Sequence, residues 1–314
     1  MTSAHAPLDA SFQHDAFIYD SDEGYVATLT PLIVAAHAAG DTVLAVVPRA
    51  RATLLRSALG PRTGIEFLAA ETWYEHPINT IAEYTAVLRD LPVGTRAFVI
   101  GEVQFGATEA DWTAWTQYEA ALNRALARYD VRVVCPYDAR VLPASIIDDA
   151  RRTHPYLLTA TDARRSADYL AARDLFPLLP PTVAEPTSIP TVDLVVDGDN
   201  LGVARRSFAA AAAACGHAPP RADELTLAAN EVLTNALVHG GGIARLRVWV
   251  NDGELTCVID DSGGGIDDPL IGFTGPEFGS SRGYGTWIAR RLFDRSEFRR
   301  SPTGGLTVIL SVRA

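Results

Sequence analysis

Hydrophobic positions follow two different orders along this chain. In the first half, short apolar runs at "AFIY" (residues 16–19), "TVLAVV" (42–47), "RAFVIG" (96–101) and "VRVVCPY" (131–137) alternate with helical segments, among them about 23–39 and about 111–128. Strand and helix in alternation predict an α/β domain with a mostly parallel sheet covered by helices. In the last third the order becomes a strand (193–196), two helices (about 202–215 and 222–239), and two adjacent strands (243–250 and 254–261) joined by "NDG", a strong hairpin turn. A glycine-rich loop, a helix at 285–293 and two closing strands follow. This grouping predicts an α+β sandwich with its helices on one face of the sheet.

Between the two halves, "FPLLPPTVAEPTSIPTV" (176–192) carries five prolines and no periodic pattern, the composition of an extended, semi-rigid linker. The expected organisation is a first domain over 1–176, a linker over 177–192 and a second domain over 193–314. A length of 314 residues suits two domains, each able to bury a core. No internal repeat is evident, and the alanine run at 209–214 is simply strong helix former.

Composition narrows the chemistry. With 48% hydrophobic and 21% charged residues the chain reads as globular, and no apolar run reaches the roughly 20 residues that span a bilayer. No N-terminal segment has the pattern of a secretory signal, so a cytoplasmic location is expected, with no membrane partner. Cys135, Cys215 and Cys257 lack metal-ligand spacing and are expected to be small buried hydrophobes in a reducing compartment, with neither a disulfide framework nor a zinc site indicated. The formal charge of −11 argues against direct nucleic-acid binding and makes a protein the expected partner. All 27 basic residues are arginine, which removes a Walker-type lysine and Schiff-base chemistry. Phosphate must then be held by backbone N–H groups, arginine or a metal.

Three motifs carry candidate chemistry. "ANEVLTNALVHGGG" (229–242) puts Glu231 and Asn235 four apart on one helix face, about one turn before three glycines. A carboxamide oxygen suits Mg²⁺, and a carboxylate beside it can orient or deprotonate a nucleophile; solvent-facing decoration is the bland alternative. "VIDDSGGGI" (258–266) ends a strand in Asp260 and Asp261 and continues into Gly263, Gly264 and Gly265. A strand-end carboxylate can accept a hydrogen bond from an exocyclic amine, and glycines let a flat ring approach the backbone; a polar turn is the alternative. "SSRGYGTWIARRL" (280–292) sets Gly283 and Gly285 at the start of an amphipathic helix, an anion site to which Arg282 adds charge.

Taken together, "ELTLAANEVLTNALVHG", "DDSGGGI", "RGYGTWIARRLFD" and "GGLTVIL" resemble the Asn box, the two glycine boxes and the closing strand of the GHKL ATPase superfamily, over about residues 193–314. Within it the chain is most similar to RsbW-like anti-sigma factor serine/threonine kinases. The resemblance implies the Bergerat ATP-binding fold with ATP and Mg²⁺ as cofactors. It implies Glu231 as general base and Asn235 as the Mg²⁺ ligand. Asp261 would meet the adenine amine, Gly263 and Gly265 would shape its pocket, and Gly283, Gly285 and Arg282 would hold phosphate. About residues 267–282 would form an ATP lid. Thr286 stands where leucine is common, and Leu306 where the family has a polar threonine, leaving Thr307 as the candidate contact.

The first half resembles the MEDS sensory domain, over about residues 12–175, on "HDAFIYDSDEGYVATLTPLIVAAHAAGDTVLAVV" and "WTQYEAALNRALARYDVRVVCPYDARVLPASIIDDARRTHPYLL". This resemblance implies a small-molecule sensory ligand. His14, Glu102, Tyr118, Glu119, Asn123, Tyr137, Asp138 and His154 are the residues expected to line a cleft at strand ends, with helix capping and satisfaction of buried backbone as the alternative. Trp73, Trp112 and Trp115 are expected in core or interface.

The leading functional expectation is an ATP-binding regulator resembling an anti-sigma factor with kinase activity on an antagonist protein. By resemblance its partners are a sigma factor and an anti-anti-sigma protein, in a possible homodimer. A non-catalytic switch that binds nucleotide or ligand is the alternative. A histidine-kinase fragment is a third reading. No segment resembles a phosphoacceptor dimerisation helix, and His239 is read as a helix C-terminal residue favoured by the dipole.

Overall fold

Strands and helices of the first unit run β1 (Phe12–Tyr19), α1 (Asp22–Ala39), β2 (Thr42–Val47), α2 (Arg49–Leu59), β3 (Ile65–Ala69), α3 (Ala70–Trp73), α4 (Pro77–Arg89), β4 (Ala97–Gly101), α5 (Glu109–Ala125), β5 (Val131–Asp138), α6 (Ala144–Thr153), β6 (Tyr156–Leu158), β7 (Ala163–Arg165) and α7 (Ala172–Leu175). The computed structural model describes residues 12–61, 64–159, 162–275, 283–301 and 304–314. The chain divides into two units, Met1–Leu178 and Leu179–Ala314.

The first sheet has the order β3-β2-β4-β5-β1-β6-β7, parallel throughout except for β6 with β7. Local chemistry sets the helix ends that feed it. The Ser21 hydroxyl accepts the Gly24 N–H at the start of α1, and Gly40, at φ 87°, ends that helix in the left-handed conformation glycine tolerates. Thr108 and Asp111 form a reciprocal capping box on α5. Phe17, Leu29, Ile33, Val43, Leu55 and Ile100 are among the side chains that fill one core.

The second unit runs β8 (Val192–Val196), α8 (Leu201–Cys215), α9 (Pro219–His239), β9 (Ala244–Asn251), β10 (Glu254–Asp261), α10 (Tyr284–Leu292), β11 (Arg295–Arg300) and β12 (Leu306–Arg313). Its sheet has the order β11-β12-β10-β9-β8 and is antiparallel throughout. Between β9 and β10, Asp252 (φ 47°) and Gly253 (φ 75°) both take positive φ, as a type I′ turn requires. Helix α9 begins three residues before the apolar pattern suggests. Pro219 occupies its first position, where a missing N–H leaves nothing unsatisfied.

Alternation along the strands sorts the two faces. Leu255, Cys257 and Ile259 of β10 and Val308, Leu310 and Val312 of β12 pack under the three helices, together with Phe208, Leu225, Val232 and Phe293. The intervening Val258 and Ile309 join Trp249 on the other face. That face is covered by the proline-rich segment. Val183 packs on these three side chains, the Trp249 indole N–H donates to the Ser188 carbonyl at 2.8 Å, and Thr182 binds Glu297 and the Ser296 carbonyl of β11. Arg247 reaches from the sheet to Glu185 and to Asp260.

Candidate functional site

Helix α9, the N-terminus of α10 and the ends of β10 and β12 enclose a cavity of about 670 Å³, within the range of small-molecule sites. Glu231, Asn235 and His239 line it from α9, one turn apart. The side chains of Glu231 and Asn235 make no hydrogen bond or ion pair among the described residues, although both are partly buried. Polar groups without protein partners at a cavity wall are available to a ligand.

Helix α10 opens onto this pair. Gly283 caps it at φ 90°, and Thr286 donates its hydroxyl to the Gly283 carbonyl at 3.2 Å. A Cβ on Gly285 would lie 2.9 Å from Asn235 Nδ2, 3.0 Å from Glu231 Cβ and 3.2 Å from Glu231 Oε2. Glycine there lets the first turn of α10, with its unpaired N–H groups, approach the carboxylate and carboxamide closely.

Asp261 stands at the cavity end of β10. Its Oδ1 accepts the N–H groups of Gly263 at 2.9 Å and Leu306 at 3.1 Å, while Oδ2 takes no hydrogen bond from the described residues. Glycine is required around it, because a Cβ on Gly263 would lie 2.6 Å from the His239 carbonyl and one on Gly240 would overlap Asp261 itself. These contacts dock the end of α9 against the end of β10. The wall between them is apolar, formed by Ile259, Ile266, Ile271, Phe298, Leu306 and Val308.

Of the C-terminal residues expected at the site, Glu231, Asn235, Asp261, Gly265, Gly283 and Gly285 line the cavity, and Gly263 acts from just behind it through Asp261. Thr307 does not belong to it. Strand alternation turns Thr307 to the opposite face, where its hydroxyl donates to Asp260 Oδ1 at 2.7 Å, and Leu306 and Val308 face the cavity instead. Arg282, and the expected lid from residue 276 onward, lie outside the described residues.

One arginine was not singled out by the sequence. Arg290 of α10 is buried, with its guanidinium between the rings of Phe273 (4.4 Å) and Phe298 (4.2 Å). Its Nε donates to the Ile271 carbonyl at 2.8 Å and its Nη1 to the Ser296 hydroxyl at 3.1 Å. Burial lowers its pKa to about 10. It ties the beginning of the lid region to α10 and β11, and in "ARRL" nothing distinguishes it from Arg291 except the helical phase of its aromatic neighbours.

The sensory candidates of the first unit separate into groups. Glu102 accepts the Tyr19 hydroxyl at 2.9 Å, and burial raises its pKa to about 7 despite Tyr19 and Arg51. Asp138 pairs with Arg51 and Arg140, and the hydrogen bonds from Arg140 lower its pKa. Tyr118 belongs to an aromatic core with Trp115 and Tyr74, and Tyr137 packs between Phe105 and His154. Trp73 packs against Tyr84, and Trp112 donates to the Gly106 carbonyl. His14, Glu119 and His154 converge in the interior, with Asn123 behind them and Cys135 among them.

Comparison with known families gives two matches. Residues 13–155 match the family model of MEDS, the MEthanogen/methylotroph, DcmR Sensory domain, and residues 195–312 match that of the histidine kinase-like ATPase domain. No curated protein matches the chain.

Proposed function

We propose that this chain, a MEDS domain fused to a histidine kinase-like ATPase domain, is an ATP-binding regulator that phosphorylates a serine or threonine of an antagonist protein. The observation that carries the proposal is the convergence of Glu231 and Asn235 on the glycine-built first turn of α10. Phosphoryl transfer asks a protein mainly for positioning and charge neutralisation, and a carboxamide, a carboxylate and a helix N-terminus facing one cavity support this reading.

Each part has a distinct task. Asn235 would hold Mg²⁺ through its carboxamide oxygen, and the ion would supply neutralisation of phosphate charge. Gly283 and Gly285 leave room for backbone N–H groups to bind phosphate. Asp261 accepts the adenine amine through Oδ2, held in position by the two N–H groups on Oδ1. Glu231 accepts the proton that an acceptor hydroxyl loses as its oxygen bonds to phosphorus and ADP departs. The acceptor comes from a partner. By resemblance, the partners are a sigma factor and an anti-anti-sigma protein in the cytoplasm, and the MEDS domain responds to a small molecule. Among the described residues no helix is long and apolar enough to cross a membrane.

A second reading, a switch that binds nucleotide without transferring phosphate, is favoured by one observation. Leu306 puts an aliphatic side chain against the cavity beside Asp261. Calorimetry of Mg·ATP on the full chain, with Asn235→Ala and Asp261→Asn alongside, tests the common ground. Both substitutions are expected to abolish or severely weaken binding, and a wild-type chain that binds no Mg·ATP overturns both readings. Radiolabelled ATP with an acceptor protein then separates them. Transfer lost in Glu231→Ala, with ATP binding retained, supports the kinase. ATP binding without transfer by the unsubstituted chain supports the switch, and acid-labile label on the chain itself points to a histidine kinase.

A further inference from the structure

The convergent group in the MEDS domain combines four metal-ligating side chains with two buried polar atoms that have no partner among the described residues. His14 comes from β1, Glu119 from α5, Cys135 from β5, and His154 follows α6. All four are buried, between 0 and 3% exposed, and their potential ligand atoms lie within 4.8 Å of one another. His14 Nε2 is 3.3 Å from Glu119 Oε2 and 3.3 Å from Cys135 Sγ. Glu119 Oε2 is 3.5 Å from His154 Nε2 and 3.6 Å from Cys135 Sγ.

The surrounding hydrogen bonds fix what these atoms offer. Asn123 Nδ2 lies 2.8 Å from the Thr153 carbonyl, which can only accept, so the amide oxygen faces His14 Nδ1 at 3.1 Å. His14 Nδ1 is therefore the donor. His154 Nδ1 lies 2.9 Å from the Ala150 carbonyl and must donate as well. With both Nδ1 protons committed outward, an imidazole that carries no second proton turns its Nε2 lone pair inward, toward the carboxylate. Among the described residues, His154 Nε2 and Glu119 Oε1 have no hydrogen-bond partner. The Cys135 thiol donates to Glu119 Oε2 at 3.6 Å, which leaves these two atoms as buried lone pairs that cost free energy and that a cation would satisfy.

We propose that His14, Glu119, Cys135 and His154 bind one divalent transition-metal ion of the zinc class. Ion-to-ligand distances of about 2.0–2.3 Å in a tetrahedron require donor separations of about 3.3–3.8 Å; four of the six separations are 3.3–3.6 Å, and the other two lie within 4.8 Å. Mixed imidazole, thiolate and carboxylate donors suit zinc and exclude the all-oxygen preference of Mg²⁺ and Ca²⁺. The Asn123 amide and the Ala150 carbonyl supply the outer contacts that orient metal-bound histidines. Binding requires Cys135 as thiolate, so its proton passes to solvent as the sulfur–metal bond forms. Four protein ligands complete the tetrahedron and leave no open position, so the ion is a structural tie between β1, β5, α5 and the end of α6 rather than a catalytic centre.

Cobalt(II) reads the site directly. The full chain, stripped with a chelator and kept reduced, is titrated with Co²⁺. The expected result is saturation at about one ion per chain, with intense visible bands of tetrahedral cobalt and a near-ultraviolet sulfur-to-metal band; Zn²⁺ bleaches all of them. The sulfur band is expected to vanish in Cys135→Ser and persist in Cys215→Ser and Cys257→Ser. Asn123→Ala, which keeps all four ligands, is expected to retain the bands but bind about 10- to 100-fold more weakly. A wild-type chain that develops no such bands overturns the proposal without recourse to any variant, as does a sulfur band that persists in Cys135→Ser.

Discussion

Gly285→Ala isolates the contact on which the proposed nucleotide site depends. The backbone of Gly285 lies outside the positive-φ region, so alanine is conformationally allowed and, on helix propensity alone, favoured by up to about 1 kcal/mol. Packing works in the other direction. The new methyl would lie 2.9 Å from Asn235 Nδ2, an atom that can swing away, and 3.0 Å from Glu231 Cβ, which is fixed to the backbone of α9. Relief therefore requires α9 and α10 to separate by a few tenths of an ångström, and overpacking of this kind costs about 1–3 kcal/mol. The net expectation is a loss of roughly 0–2 kcal/mol, seen as a melting temperature a few degrees lower. Affinity for Mg·ATP should fall at least about tenfold, because the group that moves first is the Asn235 carboxamide. Calorimetry and thermal melting of the full chain measure both, with Gly198→Ala as the control, since a Cβ there meets nothing within 4 Å. A Gly285→Ala chain that binds nucleotide like wild type and melts no lower refutes the reasoning.

Three further outcomes are expected. The Glu102 pKa is raised from 4.5 to about 7, so the folded chain binds the extra proton between these values. Its contribution to stability is full below about pH 4.5 and declines as pH rises toward 7, by at most about 3 kcal/mol. Denaturant titrations at several pH values should find this decline removed in Glu102→Gln, and an unchanged slope would contradict the assignment. Arg290→Met should destabilise the ATPase domain by about 1–3 kcal/mol, through lost cation–π contacts and an unsatisfied Ile271 carbonyl, and should weaken nucleotide binding. Nucleotide affinity equal to wild type would remove Arg290 from any role in shaping the cavity. Trp249→Phe deletes the bond to the Ser188 carbonyl, worth about 1 kcal/mol, and should speed proteolysis within 183–190; equal cleavage rates would mean the segment is held without it.

Much of this molecule was legible because local chemistry and tertiary context agree. β2 and β10 have the bounds their apolar runs predict, and "NDG" makes the turn that its residues favour. The i, i+4 pair Glu231 and Asn235 reaches the cavity because helical spacing alone puts both on one face. Thr307 failed because a strand turns adjacent residues to opposite faces, and the same rule separates Asp260 from Asp261. Cys135 was read as an isolated small hydrophobe because metal-ligand spacing is a local signal. Its neighbour His14 is 121 positions away and comes beside it only through the parallel pairing of β1 with β5. Prolines mark a central segment without a strand or α-helix between the 3-10 turn Phe176–Leu178 and β8, but carry no information about the Trp249 face it covers.

That cover changes where the second domain begins. The repeating elements start with β8, yet Thr182, Val183, Glu185 and Ser188 already belong to its fold through β11, β9 and the outer face of the sheet. A fragment excised at β8 would uncover Trp249, Val258 and Ile309, each a side chain whose burial contributes about 1.5–3 kcal/mol. It would also leave the Arg247 guanidinium without Glu185. Such a fragment would be less stable and prone to self-association through the bared sheet, and its poor behaviour would say nothing about the cavity on the other face.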